Sequence, residues 1–179
     1  MDTNQIKHRR LERIGFVVVC ICAMLFHFTY EFSGENYFVG LISAVNESVW
    51  EHTKIVYFPF LFYAIIEYFI LKPPFKRFFI SKTIALAFIT VVMISFFYTY
   101  SGIIGTEYLI VDIIFTFILS ALAFLVSYKV FYSERNLEKY IVLFAMLFVG
   151  QLLMEILFTP FPPDLPLFMD SETGVYGFG

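Results

Sequence analysis

The chemistry open to this chain depends on a small set of carboxylate and imidazole side chains in an otherwise strongly apolar sequence. They are His27, Glu31, Glu47, Glu51, His52, Asp112 and Glu155. On a helix, residues four apart, such as His27 and Glu31, share one face. Mixed carboxylate and imidazole ligands suit zinc, manganese or iron better than calcium alone. We therefore predict that these residues form one cluster that holds a divalent metal ion or traps protons, with Glu47 and His52 as the first residues to test.

Several of these residues also have purely structural interpretations. Ser48 and Glu51 match a capping box, in which both side chains satisfy free N–H groups at a helix start. Glu51 and Lys54 are three residues apart and can form an ion pair on the surface. Asp112 falls in a first helical turn, where the helix dipole favours a carboxylate, and Trp50 fits an interfacial anchor. The sequence leaves these alternatives open.

The composition indicates whether the chain folds in water or in a lipid bilayer. Of its 179 residues, 60% are hydrophobic and 15% are charged, against roughly 45–50% and about 25% in soluble domains. These values exclude a soluble enzyme, a nucleic-acid-binding protein and a disordered chain. They indicate an integral membrane protein in contact with the lipid bilayer. Cys20 and Cys22 would point about 200° apart on a helix, so they cannot form a disulfide with each other.

Five stretches are long and apolar enough to cross the hydrocarbon layer, which needs about 20 residues. They comprise residues 14–31, 48–71, 84–104, 108–130 and 140–158. We predict an all-α membrane protein with a bundle of five transmembrane helices in residues 1–158 and an ordered, proline-rich extracytoplasmic tail in residues 159–179. Residues 36–46 are too few to span the membrane, and we predict an interfacial or re-entrant segment on the outer side.

The basic residues set the predicted orientation. All Lys and Arg residues except Lys54 fall on one side of the predicted helices, so the positive-inside rule places the N-terminus in the cytoplasm and the tail outside. Every residue of the candidate cluster then lies in the outer third of the membrane. The inner half offers only Glu67, which we predict to reach toward Lys72 at the interface. This shortage of polar residues argues against a simple channel.

The tail after the last predicted helix combines prolines with large apolar residues. We expect Phe161, Leu165, Leu167 and Phe168 to lie against the outer mouth of the bundle as a lid, because such side chains are unusual on a free tail. Residues 170–174 combine Asp, Ser and Gly, which is typical of a turn.

Two stretches of the chain resemble a known family. They are Val45–His52, with the sequence VNESVWEH, and Pro162–Asp170, with the sequence PPDLPLFMD, followed by Tyr176 and Gly177. In these motifs the chain resembles a family of small multi-pass bacterial membrane proteins described as a domain of unknown function. The resemblance covers most of the chain and implies a bacterial inner-membrane location. It supplies no activity, ligand or catalytic residue.

Three classes of function fit these observations. The first is a binding or transport protein whose outward pocket holds a cation or a small polar ligand. The second is a membrane-embedded, metal-dependent hydrolase at the outer leaflet, in which a carboxylate would act as general base toward a metal-bound water. The third is a partner subunit whose charges dock another membrane protein. The residue pattern leaves open whether the protein is an enzyme.

Overall fold

The computed structural model describes residues 3–178, which fold as helices joined by turns and loops. The helices are α1 (Thr3–Phe32), α2 (Tyr37–Gly40), α3 (Val49–Leu71), α4 (Phe75–Ile104), α5 (Leu109–Phe131) and α6 (Ile141–Leu157), with 3-10 turns at Glu138–Tyr140 and Pro166–Phe168. In this part of the chain, all helices except α2 are long and apolar enough to cross a membrane, counting the turn before α6 with it. The predicted all-α architecture, with five helices long and apolar enough to span a membrane, is confirmed.

Two of the helices extend well beyond the stretches that hydropathy predicts. α1 begins at Thr3 rather than near residue 14, and α4 begins at Phe75 rather than near residue 84. Counting apolar residues misses these turns because they carry charged side chains. Some of those charges, such as Glu12 and Lys82, are buried between the helices. The helical segments therefore continue where the apolar sequence stops.

The packing order makes α1, α3, α4 and α5 a closed ring of neighbouring helices. α1 and α4 both pack against α3, and α5 packs against α1 and α4. The core that they enclose is rich in aromatic side chains such as Tyr57, Phe58, Phe60 and Phe124. α6 packs mainly on α4 and leaves most of its apolar surface exposed, as expected for a helix that faces lipid.

Gly15 allows α1 to approach its neighbours closely. A Cβ atom at this position would collide with the rings of Tyr63 on α3 and Phe124 on α5. We expect Gly15→Ala to destabilise the protein by about 1–3 kcal/mol, because overpacking a tight contact forces side chains and backbone apart. Thermal unfolding in detergent micelles measures the effect. Gly150→Ala is the matched control, since a Cβ there meets open space, and an equal loss in both variants would contradict the packing argument.

Residues 36–46 fold over the N-terminal end of α3. Asn36 caps α2 by accepting hydrogen bonds from the N–H groups of Phe38 and Val39. The Lys54 ammonium then donates to the carbonyl oxygens of Gly40 and Ser43, at 2.9 and 3.2 Å. This segment is too short to span, as predicted, and it is fixed to α3 by a buried lysine.

The tail packs back onto the same end of the bundle, although only part of the predicted lid is formed. Phe168 is buried, with its ring centroid 5.1 Å from that of Trp50. Leu167 is half-buried, but Phe161 and Leu165 are exposed, so the prediction was wrong for these two. Phe161 lies in the turn that follows α6, and Leu165 directly precedes the 3-10 turn that buries Phe168, so neither side chain faces the bundle. The predicted turn forms at Asp170, whose side chain accepts hydrogen bonds from the backbone N–H groups of Glu172 and Thr173.

Candidate functional site

Three of the predicted site residues lie together at the end of the bundle that the tail covers. The Nε2 atom of His27 is 3.7 Å from Oε2 of Glu47, and Nε2 of His52 is 3.4 Å from the same oxygen. Their possible ligand atoms all lie within 4.8 Å of one another. The imidazole side chains are about one-quarter exposed, so the cluster is partly open to the outside of the bundle.

Local structure orients this cluster. His27 comes from the final turns of α1, Glu47 directly precedes the cap of α3, and His52 lies in the first turn of α3. Ser48 caps α3 by accepting from the N–H of Glu51, and its carbonyl oxygen is 2.9 Å from Nδ1 of His52. Because a carbonyl only accepts, Nδ1 of His52 carries a proton and donates it. The other ring nitrogen, Nε2, faces Glu47 at 3.4 Å, where it donates a hydrogen bond when protonated and offers a lone pair to a metal ion when deprotonated.

The two imidazoles also set the charge of the carboxylate between them. Hydrogen bonding from His27, and then from His52, holds the pKa of Glu47 well below its usual range. Glu47 is therefore an anion at neutral pH. Within residues 3–178, no Lys or Arg forms an ion pair with it. The cluster is thus a negative charge flanked by two nitrogen ligands.

The spacing of the cluster suits a small metal ion. Nitrogen and oxygen ligands lie about 2.0–2.2 Å from a zinc ion, so two ligands of a tetrahedral site are about 3.3 Å apart. The distances from Glu47 to His27 and His52, 3.7 and 3.4 Å, need only small side-chain movements to reach that value. A fourth predicted residue of the same layer, Glu31, is exposed at the end of α1 and lies outside this arrangement.

A cavity of about 210 Å³ opens beside Glu47 and His52. Its far wall carries Asp112, and the hydroxyl of Tyr100 lies 2.7 and 2.8 Å from the two carboxylate oxygens of that residue. Tyr100 is itself held by the N–H of Tyr108, which donates to the same hydroxyl oxygen at 3.2 Å. Asp112 is therefore fixed by more than the helix dipole and faces the cavity that Glu47 lines.

The rest of the cavity wall divides into polar and apolar parts. Glu107, Thr116, Ser171 and Glu172 contribute polar groups, while aromatic and aliphatic side chains line the remainder. These are Val49, Met93, Phe96, Phe97, Leu109 and Phe115. A molecule in this space would meet carboxylates and possible metal ligands as well as apolar surface.

Glu51 serves a different purpose from its neighbour Glu47. It forms an ion pair with Lys54 at 2.6 Å and accepts a hydrogen bond from Thr159 at 2.8 Å. Both charged side chains are almost completely buried, so the predicted surface pairing was wrong. The backbone N–H of Val45 donates to the second oxygen of Glu51. Glu51 thus ties α3 to the segment before it and to the tail, and has no free oxygen for a metal.

Glu155 is also buried away from the cluster. It lies on α6 and accepts hydrogen bonds from the hydroxyl groups of Thr53 and Thr90, both at 2.9 Å. Both oxygens are engaged, so this carboxyl joins α6 to α3 and α4. Trp50, predicted to anchor at the interface, is instead buried against Phe168 and the end of α6. The burial of these groups comes from the tail and α6 folding over the end of α3.

A second polar network, which the sequence reasoning missed, lies at the opposite end of the bundle. Lys82 binds Glu12 at 3.0 Å and Glu67 at 2.6 Å, and His8 lies 3.1 Å from Glu12 and 3.4 Å from Glu67. All four side chains are buried. The predictions that Glu67 reaches toward Lys72 and that the inner half lacks other polar groups were therefore wrong. The physical reason is that Glu67 faces Lys82 on the adjacent helix rather than the interface.

The two clusters differ in their suitability for a metal. His8, Glu12 and Glu67 also have the spacing of a metal site, but the Lys82 ammonium already lies between the carboxylates as their counter-charge. A metal ion there would have to displace a buried lysine, at a high electrostatic cost. The cluster of His27, Glu47 and His52 contains no such cation among the described residues.

Comparison with known proteins gives a family but no activity. The model of a family of unknown function (DUF6512) matches residues 1–178. No curated protein and no solved structure matches the chain.

Proposed function

The chain belongs to this family of unknown function, and from the geometry of its site we propose that it is a membrane protein that binds a divalent transition-metal ion of the zinc class. The ligands are His27, Glu47 and His52. The role is one of binding or transport, with the site facing the outside of the cell.

The observation that carries this proposal is the hydrogen bond from Nδ1 of His52 to the carbonyl oxygen of Ser48. Histidines that bind metals nearly always donate their other ring N–H to a carbonyl or carboxylate, which fixes the ring and the tautomer. Here the bond fixes the ring of His52 with Nε2 directed at Glu47, so that a metal ion can take the place of the proton between them.

The charge balance supports the same assignment. Glu47 is an anion at the cluster, and Asp112 lies across the cavity that Glu47 lines. Two carboxylates and two neutral imidazoles would offset the charge of a divalent ion. Two histidines and one carboxylate also form a ligand set that zinc and related metals accept, with a position left open.

Metal-dependent stability tests the proposed function. Added zinc should raise the melting temperature of the purified wild-type protein by roughly 5–10 °C at about 100 times the Kd, since a ligand that binds only the native state stabilises it. His52→Ala should abolish this rise. Glu31→Gln is the matched control, because Glu31 lies in the same outer layer but outside the cluster. An unchanged melting temperature of the wild type with zinc and with chelator would contradict the proposal.

We also propose that the metal site faces outward, with residues 159–179 as an extracytoplasmic tail. The support is the concentration of Lys and Arg at the other end of the helices. In a Cys20→Ala, Cys22→Ala background, a membrane-impermeant thiol reagent applied to intact cells should label Thr173→Cys and should miss Lys72→Cys. Both positions are exposed, so the opposite labelling pattern would reverse the orientation.

The open cavity favours a second candidate function, a metal-dependent hydrolase. Catalytic zinc sites keep one position for water beside three protein ligands, and Asp112 lies on the far wall of the cavity, where a general base could stand. In this case zinc-loaded protein should hydrolyse a fluorogenic phospholipid ester, and Asp112→Asn should lose turnover while it keeps its zinc. Glu107→Gln, at the same cavity, is the control. Absence of turnover would contradict the hydrolase and would leave binding or transport as the proposed function.

A further inference from the structure

A second cleft, of about 290 Å³, lies between α1 and α5 at the end of the bundle opposite the metal site. Its polar wall carries Arg9, Glu12 and Arg13, and its apolar wall carries Phe16, Ala121 and Leu125. The cleft therefore has a charged end and an apolar end along the same pair of helices. A membrane phospholipid has the same two parts, a charged headgroup and an apolar acyl chain.

The charged end is suited to a phosphate group. Arg9 and Arg13 are one helical turn apart and share a face of α1, and both are exposed. Neither forms an ion pair with another side chain within residues 3–178. Guanidinium groups bind phosphate oxygens in pairs of parallel hydrogen bonds, so two arginines at this spacing can hold one phosphate between them.

The apolar end is suited to a hydrocarbon chain. From Arg9 to Phe16 the cleft follows α1 for about 10 Å, at 1.5 Å per residue. Leu125 on the opposite wall is 46% exposed, so the cleft is open to the lipid side of the bundle. A free phosphate ion would leave this apolar part empty, whereas a phospholipid would fill it.

One carboxylate oxygen of Glu12 lacks a hydrogen-bond donor, which a ligand in the cleft could supply. His8, Lys82 and Ser127 all contact its Oε1 atom, at 3.0–3.1 Å. Its Oε2 atom is buried and has no hydrogen-bond partner in the part of the chain that the structure describes. Since an unpaired buried oxygen is costly, a headgroup with a hydroxyl beyond the phosphate would satisfy it.

We propose that this cleft binds an anionic phospholipid with a hydroxyl-bearing headgroup, such as phosphatidylglycerol. Arg9 and Arg13 hold the phosphate, Glu12 accepts from the headgroup, and the acyl chain lies along Phe16 and Leu125. The lipid joins α1 to α5 at a point where they contact each other. The site is independent of the metal cluster, which lies at the other end of α1.

Lipid retention by the full-length protein tests this proposal. Native mass spectrometry of protein purified in detergent should show phosphatidylglycerol bound in preference to phosphatidylcholine, whose choline carries no hydrogen-bond donor. The double variant Arg9→Gln, Arg13→Gln should bind phosphatidylglycerol roughly 25-fold more weakly, because each basic residue near an anionic lipid contributes about a factor of five. The control Arg10→Gln, Lys76→Gln loses the same charge at exposed positions outside the cleft and should bind as the wild type does.

Three results would overturn the proposal. Equal retention by the double variant and its control would show attraction to overall charge rather than a site. Equal retention of phosphatidylglycerol and phosphatidylcholine would show that neither Glu12 nor the negative charge of the lipid contributes to binding. Inorganic phosphate that displaces phosphatidylglycerol at equal concentration would show that the apolar wall contributes nothing and that the site takes a free anion.

Discussion

Lys82→Met should destabilise the protein by about 3–5 kcal/mol, because it leaves two buried carboxylates without their cation. Glu67 is fully buried, Glu12 is 5% exposed, and Lys82 contacts both. Methionine has a similar length and keeps the packing, so the loss reports the charge rather than a cavity. Thermal or denaturant unfolding of the protein in micelles measures the change.

Two further variants separate the electrostatic explanation from a general loss of structure. Lys82→Met combined with Glu67→Gln should recover part of the stability, since one of the uncompensated charges is removed. Lys76→Met, at an exposed position on the same helix, should change stability by less than about 0.5 kcal/mol. A Lys82→Met protein as stable as the Lys76→Met protein would show that the network contributes nothing.

Glu47→Gln should weaken zinc binding by roughly 100-fold or more. The amide keeps the shape of the side chain but removes the anionic ligand at the centre of the cluster, and loss of even an outer-shell partner typically costs 10- to 100-fold in metal affinity. Glu47 is 39% exposed, so the variant should fold normally. Competition with a chromophoric chelator gives the affinity.

Glu107→Gln is the matched control for this measurement. It removes the same charge from the wall of the same cavity, but Glu107 is not part of the cluster. Its zinc affinity should stay within a few-fold of the wild type. Similar losses in the two variants would mean that zinc responds to the acidity of the cavity and not to a ligand at Glu47.

The sequence was sufficient to predict the apolar helices and the layer that holds the candidate site residues, because both depend on composition along the chain. It was not sufficient to predict which residues of that layer meet. Glu47 and Glu51 share a depth and are one turn apart, yet Glu47 faces the imidazoles while Glu51 is buried against Lys54. Depth follows from position in the sequence, whereas the direction of each side chain depends on how the tail and α6 pack.

The network of His8, Glu12, Glu67 and Lys82 was missed for a different reason. Hydropathy sets the start of a span at the first apolar residue, so the turns that carry His8 and Lys82 were assigned to the surface. A usable signal was present, since the buried positions of α1 are spaced by three or four residues from Val19 back through Gly15 and Glu12 to His8. A helical period that continues into a charged segment indicates that some of its charges face the core.

X-ray absorption at the zinc edge of the purified protein tests the metal assignment most directly. The proposal predicts one zinc ion per chain, bound by two imidazole nitrogens and by carboxylate or water oxygen at about 2.0–2.2 Å. The imidazole signal should fall to one ring in His27→Ala or His52→Ala and remain at two in His8→Gln. Protein that retains no zinc, or zinc whose imidazole signal persists in the His27 and His52 variants, would contradict the assignment.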